Sequence, residues 1–387
     1  MKFMGFVRQN GKVGSRNYVA VIPSVVCAND VAMAIVAQTD NTRGIYHHQG
    51  CCQLPPDLEM VTESLIGLGC HPNVGAVLVV SLGCEGTDVE RLVSEISKTG
   101  KPVELIEIQK LGGTSNSIAK GIDAAQSLAI KISGLQREPV DISNYVMSIK
   151  CGGSDATSGL ASNCVVGYVA DKIVDLGGTV VFGETTEFIG AEHILARKAR
   201  TTEIGDKIYE IVNKMEERSK SMGCDMRKGQ PTPGNIAGGL SSIEDKSLGA
   251  IVKSGTKPIE GVLNYTDMIT DHKGLWIKDT PGREIEILTG MAITGSQCML
   301  FSTGRGAPQG FPIMPVIKIC GNPVTFEHMK NDMDINAGRI ITGEKSIEEV
   351  GEETFKMLLN VLSGQTTKNE TIKYYNSIDI YTFGPVI

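Results

Sequence analysis

The sequence lacks long apolar runs and basic runs. Of its 387 residues 41% are hydrophobic, yet no stretch approaches the roughly 18 consecutive apolar residues of a transmembrane helix. The N-terminus has no apolar core of signal-peptide length. The net charge is -7, with lysines and arginines scattered along the chain. We therefore predict a soluble, cytoplasmic protein whose partners are neither membranes nor nucleic acids.

Two nucleotide-binding motifs are also missing. No GxGxxG follows the first predicted strand, which argues against a dinucleotide enzyme. The glycine-rich "CGGSDATSG" is not followed by Gly-Lys-Ser/Thr, so it is not a P-loop.

Short apolar runs alternate with segments of helical period. Nearly uninterrupted runs such as "AVLVV" are typical of strands buried on both faces of a parallel sheet. We predict the α/β class: doubly wound, mostly parallel sheets in two or three Rossmann-like layers. The first elements are strands at 17–26, 44–48, 74–83 and 102–108 and helices at 29–38, 57–68, 86–98 and 114–131.

A polar linker divides the chain into predicted domains at 1–140 and 141–387. "NYVMSIKC" after the linker has the layout of the earlier "NYVAVIPSVVC", as an internal duplication would leave, although the similarity is weak. The second region is expected to hold long amphipathic helix over 186–222 and glycine-rich loops near 223–260. Strands follow near "GVLNY", "CMLFST" and "VIKICG", and a helix near 346–363.

Four of the ten cysteines, Cys27, Cys51, Cys84 and Cys151, stand where a predicted strand ends. Ligands of doubly wound sheets bind beyond the carboxyl ends of the strands, so these thiols can converge. We predict that Cys51, Cys84 and Cys151 bind a metal and leave one coordination position open, as in catalytic sites. The alternative is that they are buried as small hydrophobes.

Histidines and carboxylates at strand ends are the candidates for acid–base chemistry. In "YHHQGCCQ", His47 and His48 diverge if the strand continues, and we select His48. Glu85 follows Cys84 directly, although the first turn of a helix also favours a carboxylate. From "FGETTEFIGAEHIL" we select Glu184 and His193, while a lone helical histidine is more often structural.

Binding of an acid is indicated by polar residues near glycines. Ser154 and Asp155 lie in a glycine-rich loop before a helix, where backbone amides can hold a carboxylate. Arg305 can grip a carboxylate through two hydrogen bonds, and Lys318 is a second cation with a surface role as its alternative.

The chain resembles the altronate and galactarate dehydratases, sugar-acid dehydratases that include the large subunit of sulfolactate sulfo-lyase. The matching stretches are "GKVGSRNYVAV", "HHQGC", "HPNVGAVLVVSLGCE", "KCGGSDATSGLASN", "GETTEFIGAEHIL", "PTPGNIAGGLSSIEDKSLGAIVKSG", "FSTGRGAPQGFPIMPVIK" and "NDMDINAGRI". The resemblance implies loss of water from a polyhydroxy acid to give a 2-keto-3-deoxy acid, with dependence on ferrous iron. We assign Cys51, Cys84 and Cys151 to this iron, either one Fe²⁺ ion or a [4Fe–4S] cluster with one open iron. Motif by motif the resemblance points to Cys51, Cys84, Glu85, Cys151, Ser154, Asp155, Glu184, Glu192, His193, Asn235, Lys246, Arg305 and Asp334 as the neighbourhood of the site.

Two alternatives remain: a carbon–sulfur lyase that releases sulfite from sulfolactate, and a non-catalytic binding subunit. Full-length members of the family begin with a small β-rich domain, and this sequence enters the matching region by residue 11. The resemblance therefore implies a large subunit completed by a separate small subunit, in a homo- or hetero-oligomer.

Overall fold

A computed structural model describes residues 1–384. It contains two parallel sheets and a small antiparallel one. The strands are β1 Lys2–Val7, β2 Val13–Gly14, β3 Tyr18–Pro23, β4 Thr42–Gly44, β5 Val74–Ser81, β6 Val103–Glu107, β7 Glu138–Asp141, β8 Val146–Cys151, β9 Thr179–Phe182, β10 Ile259–Leu263, β11 Gly274–Lys278, β12 Cys298–Thr303, β13 Val316–Cys320 and β14 Ile335–Asn336.

Helices connect most of these strands. They are α1 Asn29–Val36, α2 Pro55–Cys70, α3 Val89–Ser97, α4 Thr114–Ser133, α5 Asn163–Asp175, α6 Glu192–Lys198, α7 Thr202–Ser221, α8 Met226–Gly229, α9 Pro233–Ala237, α10 Ile243–Ile251, α11 Glu284–Ile293, α12 Pro323–His328, α13 Gly338–Ile341, α14 Ile347–Leu362 and α15 Lys368–Ile372. A π-helical turn, Ser158–Ser162, runs directly into α5.

The small sheet has four parallel strands in the order β4-β3-β5-β6. Alternate residues of its central strand enter different cores: Val19 and Val21 pack with α1 and α4, whereas Ala20 and Ile22 pack with α2 and α3. Burial on both faces explains the continuous apolar run of this strand. The first strand of this sheet is β3; β4 is added on one side of it and β5 and β6 on the other, so the strand order reverses between β3 and β5.

The large sheet has seven parallel strands in the order β10-β11-β9-β8-β12-β13-β14. Helices α5 and α14 cover one face and α11 covers the other. This sheet also grows outward from its first strand, and its order reverses between β8 and β12. In open α/β sheets such a reversal opens the crevice in which ligands bind.

One hydrophobic core joins the two parallel sheets. Helix α2 of the small sheet and α11 of the large sheet pack against each other, and strands of both sheets contribute to the same core. The C-terminal segment, residues 374–384, then crosses the carboxyl ends of both sheets. Gln49 Nε2 donates to Asp379 Oδ1 (3.1 Å), and Gln309 Nε2 donates to the carbonyl of Ser377 (3.0 Å).

The predicted fold class, α/β with mostly parallel sheets, is confirmed. The predicted strand at 44–48 is wrong, because β4 ends at Gly44 and His47 enters the interior as a coil residue. The expected long helix is broken at Ala199, and three short helices lie within the predicted loop region. Among residues 1–384, no helix is long and apolar enough to cross a bilayer.

Candidate active site

Four buried side chains meet at the carboxyl end of β8. The Nζ of Lys253 lies 2.6 Å from Glu184 Oε2, 2.7 Å from Glu187 Oε2 and 3.0 Å from the Sγ of Cys151. The thiol of Cys151 in turn donates to Glu187 Oε2 at 2.9 Å. We call Cys151, Glu184, Glu187 and Lys253 the buried cluster.

The charges of the buried cluster stabilise one another. Burial alone would lower the pKa of Lys253, but its contacts with the sulfur of Cys151 and the carboxylates of Glu184 and Glu187 raise it well above its ordinary value. Burial would raise the pKa of Glu187, yet the ammonium groups of Lys253 and Lys246 lower it below its usual range. Burial, followed by the charge of Glu187, raises the pKa of Cys151 well above normal, so its sulfur is a neutral thiol.

Glu184 sits at the centre of this network with an unusual backbone. Its φ of 71° is left-handed, a conformation that costs a non-glycine residue on the order of 1 kcal/mol. Its carboxylate accepts from the backbone N–H of Cys151 (2.9 Å) and from Lys150 Nζ (3.2 Å), besides Lys253. These bonds hold the backbone in that conformation.

The buried cluster does not fit a metal ion, although three of its atoms have suitable spacing. Ligating atoms of Cys151, Glu184 and Glu187 lie within 4.8 Å of one another. The ammonium of Lys253 contacts all three side chains and occupies the position that a cation would take. With Lys150 as a second cation, the two carboxylates are already neutralised.

Two adjoining cavities lie beside the buried cluster, at the reversal point of the large sheet. One of about 290 Å³ is lined by Ser154, Asp155 and Lys246 among others. The second, of about 340 Å³, is lined by Asp155 and Arg305. Lys246 links the first cavity to the cluster, because its Nζ lies 3.9 Å from Glu187 Oε1. Each cavity thus has one cationic side chain in its wall.

Asp155 shapes the wall that the two cavities share. Its Oδ1 accepts from Thr157 Oγ1 (2.6 Å) and from the backbone N–H of Ser158 (3.1 Å), and its Oδ2 accepts from Asn322 Nδ2 (3.1 Å). The Nδ2 of Asn235 donates to the carbonyl of Ser154 at 2.9 Å. Ser154, Asp155 and Arg305, which were predicted to bind the acid, therefore lie in one region with Asn235 and Lys246, which the resemblance placed near the site.

The three predicted metal ligands are not brought together. Cys51 and Cys84 lie in loops at the carboxyl end of the small sheet, whereas Cys151 is buried in the large sheet and bonded to Lys253. Within residues 1–384, the trio of Cys151, Glu184 and Glu187 is the group of metal-binding side chains that meets the 4.8 Å spacing. Cys151 is the last residue of β8 and is fully buried. Its place at the end of a strand did not show whether the thiol would be buried or accessible.

The two adjacent histidines lie in different environments, although no strand runs through them. His47 is fully buried: its Nε2 donates to the carbonyl of Pro23 (2.8 Å), and its Nδ1 accepts from the N–H of Gln49 (3.2 Å). Burial lowers the pKa of His47 to about 4, so it is a neutral structural ring. His48 is exposed on the small-sheet side, where an acid–base role stays a prediction.

Three other predicted residues, His193, Lys318 and Asp334, are not in the walls of the two cavities. His193 is exposed on α6, and Lys318 is fully buried over the ring of Phe301, donating to the carbonyl of Gln309. Burial lowers the pKa of Lys318 to about 7. Asp334 accepts from the backbone N–H groups of Lys318 (2.8 Å) and Lys368 (3.1 Å), a structural arrangement.

Glu187 and Lys253 were not selected from the sequence. Their pairing joins residues 66 positions apart, which spacing cannot show. A signal did exist for Lys253: it is the one charge in "LGAIVKSG", and a lysine in an apolar segment is rarely buried without a partner.

Comparison with known proteins agrees with these motifs. The model of the second domain of D-galactarate dehydratase/altronate hydrolase matches residues 5–133. The model of the C-terminal part of D-galactarate/altronate dehydratase matches residues 142–386.

Several curated relatives match most of the chain. The (2R)-sulfolactate sulfo-lyase subunit beta of Chromohalobacter salexigens is 38% identical over 374 residues, 96% of this chain and 95% of the relative. Altronate dehydratase of Bacillus subtilis is 33% identical, over 95% of this chain and 75% of the relative. Galactarate dehydratase (L-threo-forming) of Escherichia coli is 33% identical, over 99% of this chain and 77% of the relative. The chain therefore belongs to the D-galactarate/altronate dehydratase family, and it is an enzyme of the hydro-lyase kind.

Proposed function

We propose that this enzyme eliminates water from a polyhydroxy sugar acid to give a 2-keto-3-deoxy acid. The observation that carries the proposal is the pair of cavities at the reversal point of the large sheet, with Lys246 in one wall and Arg305 in the other. Arginine and lysine bind carboxylates, and a polyhydroxy acid also needs the hydrogen-bonding groups that Ser154 and Asp155 provide.

The chemistry requires removal of a proton next to the substrate carboxylate and departure of a hydroxide from the neighbouring carbon. In our proposal Arg305 binds the carboxylate and thereby stabilises the negative charge that develops when the proton leaves. Lys246 is the member of this region that reaches both the cavity and Glu187. The ion pair with Glu187 holds the ammonium of Lys246 in the cavity wall, where it can donate a proton to the departing hydroxide.

The roles selected from the sequence divide between the two sheets. Glu184 accepts a hydrogen bond from Lys253 and holds the buried cluster in place. His48 and Glu85 lie in the loops that carry the thiols of the small sheet. We propose that His48 or Glu85 serves as the second acid–base group. The C-terminal segment, which contacts Gln49 and Gln309, connects the two regions.

Iron fits the thiols of Cys51 and Cys84 in the small-sheet loops, which are not buried, and it does not fit the buried cluster. The sulfurs of Cys51 and Cys84 are soft donors suited to iron, and no buried ammonium is bonded to them in the described part of the chain. When bound there, iron would supply a Lewis acid at the carboxyl end of the small sheet.

A carbon–sulfur lyase is the second candidate. It is favoured by the 38% identity to the sulfolactate sulfo-lyase subunit, which this chain matches over 95% of the relative's length. Both reactions begin with the same proton removal and differ in the group that leaves. Since that relative is named a subunit, we also propose that the chain works with a separate small, β-rich subunit in an oligomer.

The test is an anaerobic assay of the chain, alone and co-expressed with the polypeptide encoded next to it. Altronate, galactarate and sulfolactate are supplied separately, and 2-keto acid and sulfite are measured. We expect that altronate or galactarate gives a 2-keto acid and that sulfolactate releases no sulfite. Release of sulfite from sulfolactate alone would identify the second candidate, and the absence of both products from every acid would contradict the proposal.

A further inference from the structure

Three loops carrying thiols meet at the reversal point of the small sheet. Cys27 lies in the turn directly after β3, and Cys84 lies in the loop after β5. Strands β3 and β5 are the neighbours between which the strand order reverses. Cys51 enters from the loop between β4 and α2. We call Cys27, Cys51 and Cys84 the small-sheet thiols.

Backbone hydrogen bonds hold these loops to one another. The N–H of Val26 donates to the carbonyl of Gln49 at 3.0 Å, and the N–H of Gly86 donates to the carbonyl of Gly50 at 2.9 Å. The first bond joins the Cys27 and Cys51 loops, and the second joins the Cys51 and Cys84 loops. The chain thus places the small-sheet thiols together through main-chain contacts that are independent of any ligand.

The approach at Gly50 is too close for another residue. Its φ is 102°, and a Cβ there would lie 2.7 Å from the carbonyl oxygen of Ser24 and 2.8 Å from Thr87 Oγ1. Glu85 fixes the third loop, since its carboxylate accepts from Ser24 Oγ (2.5 Å) and from the N–H of Gly83 (2.6 Å). Such constraints are typical of a preformed ligand site.

The spacing of the small-sheet thiols favours a cluster over a single ion. Three thiolates on one tetrahedral ion, with bonds of about 2.3 Å, have their sulfurs about 4 Å apart. Within residues 1–384, the small-sheet thiols do not form a group whose atoms all lie within 4.8 Å of one another. An iron–sulfur cluster accommodates ligands at wider spacing, because each cysteine binds a different iron.

We propose that Cys27, Cys51 and Cys84 bind a [4Fe–4S] cluster through three thiolates, leaving one iron without a cysteine ligand, and that Cys151 is not a ligand. Each thiol loses its proton when it binds iron. The assignment replaces Cys151 by Cys27 in the trio expected from the sequence, and it rests on the iron dependence within the proposed function.

The experiment uses the full chain purified without oxygen. Iron and acid-labile sulfide are measured, and electron paramagnetic resonance spectra are recorded after reduction. We expect about four irons and four sulfides per chain in the unmodified protein. Cys27→Ser and Cys84→Ser should lose at least half of both, and Cys27→Ala should behave like Cys27→Ser. Cys151→Ser and the matched control Cys224→Ser, another exposed cysteine, should retain both.

Folding of each variant is checked through the fluorescence of Trp276, which lies in the large sheet. Four results would each overturn the assignment. They are full iron and sulfide in Cys27→Ser, loss of both in Cys151→Ser, a single iron ion without sulfide in the unmodified protein, and no iron in the unmodified protein. The outcome is separable from the proposed function. Loss of the cluster in Cys27→Ser supports the assignment even if no acid is dehydrated, and dehydration by a cluster-free protein refutes only the assignment.

Discussion

Replacing Lys253 by methionine tests the charge balance of the buried cluster. The substitution keeps the unbranched side chain up to the atom before the ammonium and removes the ammonium, which lies within 3.0 Å of two carboxylates and a thiol. Breaking a buried ion pair by removing one partner costs about 3–5 kcal/mol, because the remaining charge is left uncompensated. We expect the free energy of unfolding to fall by that amount at pH 7.

The assay is urea unfolding followed by the fluorescence of the single tryptophan, Trp276. This residue is well placed because it pairs with Val181, three residues before Glu184. The control is Lys257→Met, which removes a surface ion pair with Asp175 and should cost about 1 kcal/mol or less.

The loss of stability in Lys253→Met should shrink as the pH falls from 7 towards 5. Without the ammonium of Lys253, the burial that raises the pKa of Glu187 is less fully offset, so this pKa is higher in the variant than in the unmodified protein. The folded variant then takes up protons first, so its stability relative to the unmodified protein increases on acidification. Adding Glu187→Gln should restore about 0.5–3 kcal/mol. A cost no larger than that of Lys257→Met, unchanged between pH 7 and 5, would refute the reasoning.

Three further changes test other parts of the molecule. Arg305→Met should raise KM for the acid by about 10- to 100-fold, since a charged hydrogen bond contributes about 1.5–3 kcal/mol, and an unchanged KM in steady-state assays would exclude Arg305 from binding. Gly304→Ala places a Cβ 1.8 Å from Asp155 Oδ1, so Asp155 must move, and kcat/KM should fall about 100-fold while circular dichroism stays unchanged. Wild-type kinetics in that variant would mean that the position of Asp155 is immaterial. Burial lowers the pKa of Lys278 to about 7, so between about pH 7 and pH 10 the unfolded chain holds a proton that the folded chain lacks, and stability rises with pH. In urea titrations at several pH values, Lys278→Met should lower the slope of unfolding free energy against pH by about 1.4 kcal/mol per pH unit. An unchanged slope would show that Lys278 stays charged when folded.

The small sheet was largely predictable from the sequence because its signals are local. The continuous apolar run of β5 and the periodic pattern of α4 mark their elements within one or two residues. The error at 44–48 has a physical cause: His47 is buried through hydrogen bonds to Pro23 and Gln49 rather than through a strand ladder. Local pattern alone does not distinguish the two.

The candidate site was predictable only in part. The glycine-rich loop of Ser154 and the cation Arg305 were identified, because glycines beside polar residues are a local signal. The partnership of Lys253 with Glu187 depends on strands and helices far apart in sequence. The same holds for Cys27, whose nearness to the other thiols follows from the order of strands in the sheet.

The measurement that tests the central claim most directly is the rate of 2-keto acid formation by anaerobically purified enzyme, co-expressed with the polypeptide encoded next to it. Altronate and galactarate are the substrates, and the variants are Arg305→Met, Lys246→Met and the surface control Lys257→Met. The elimination site at the reversal point of the large sheet predicts a large fall in kcat/KM for the first two and an unchanged value for the control. Full activity in both cavity variants, or no 2-keto acid from either substrate with the unmodified protein, would contradict it.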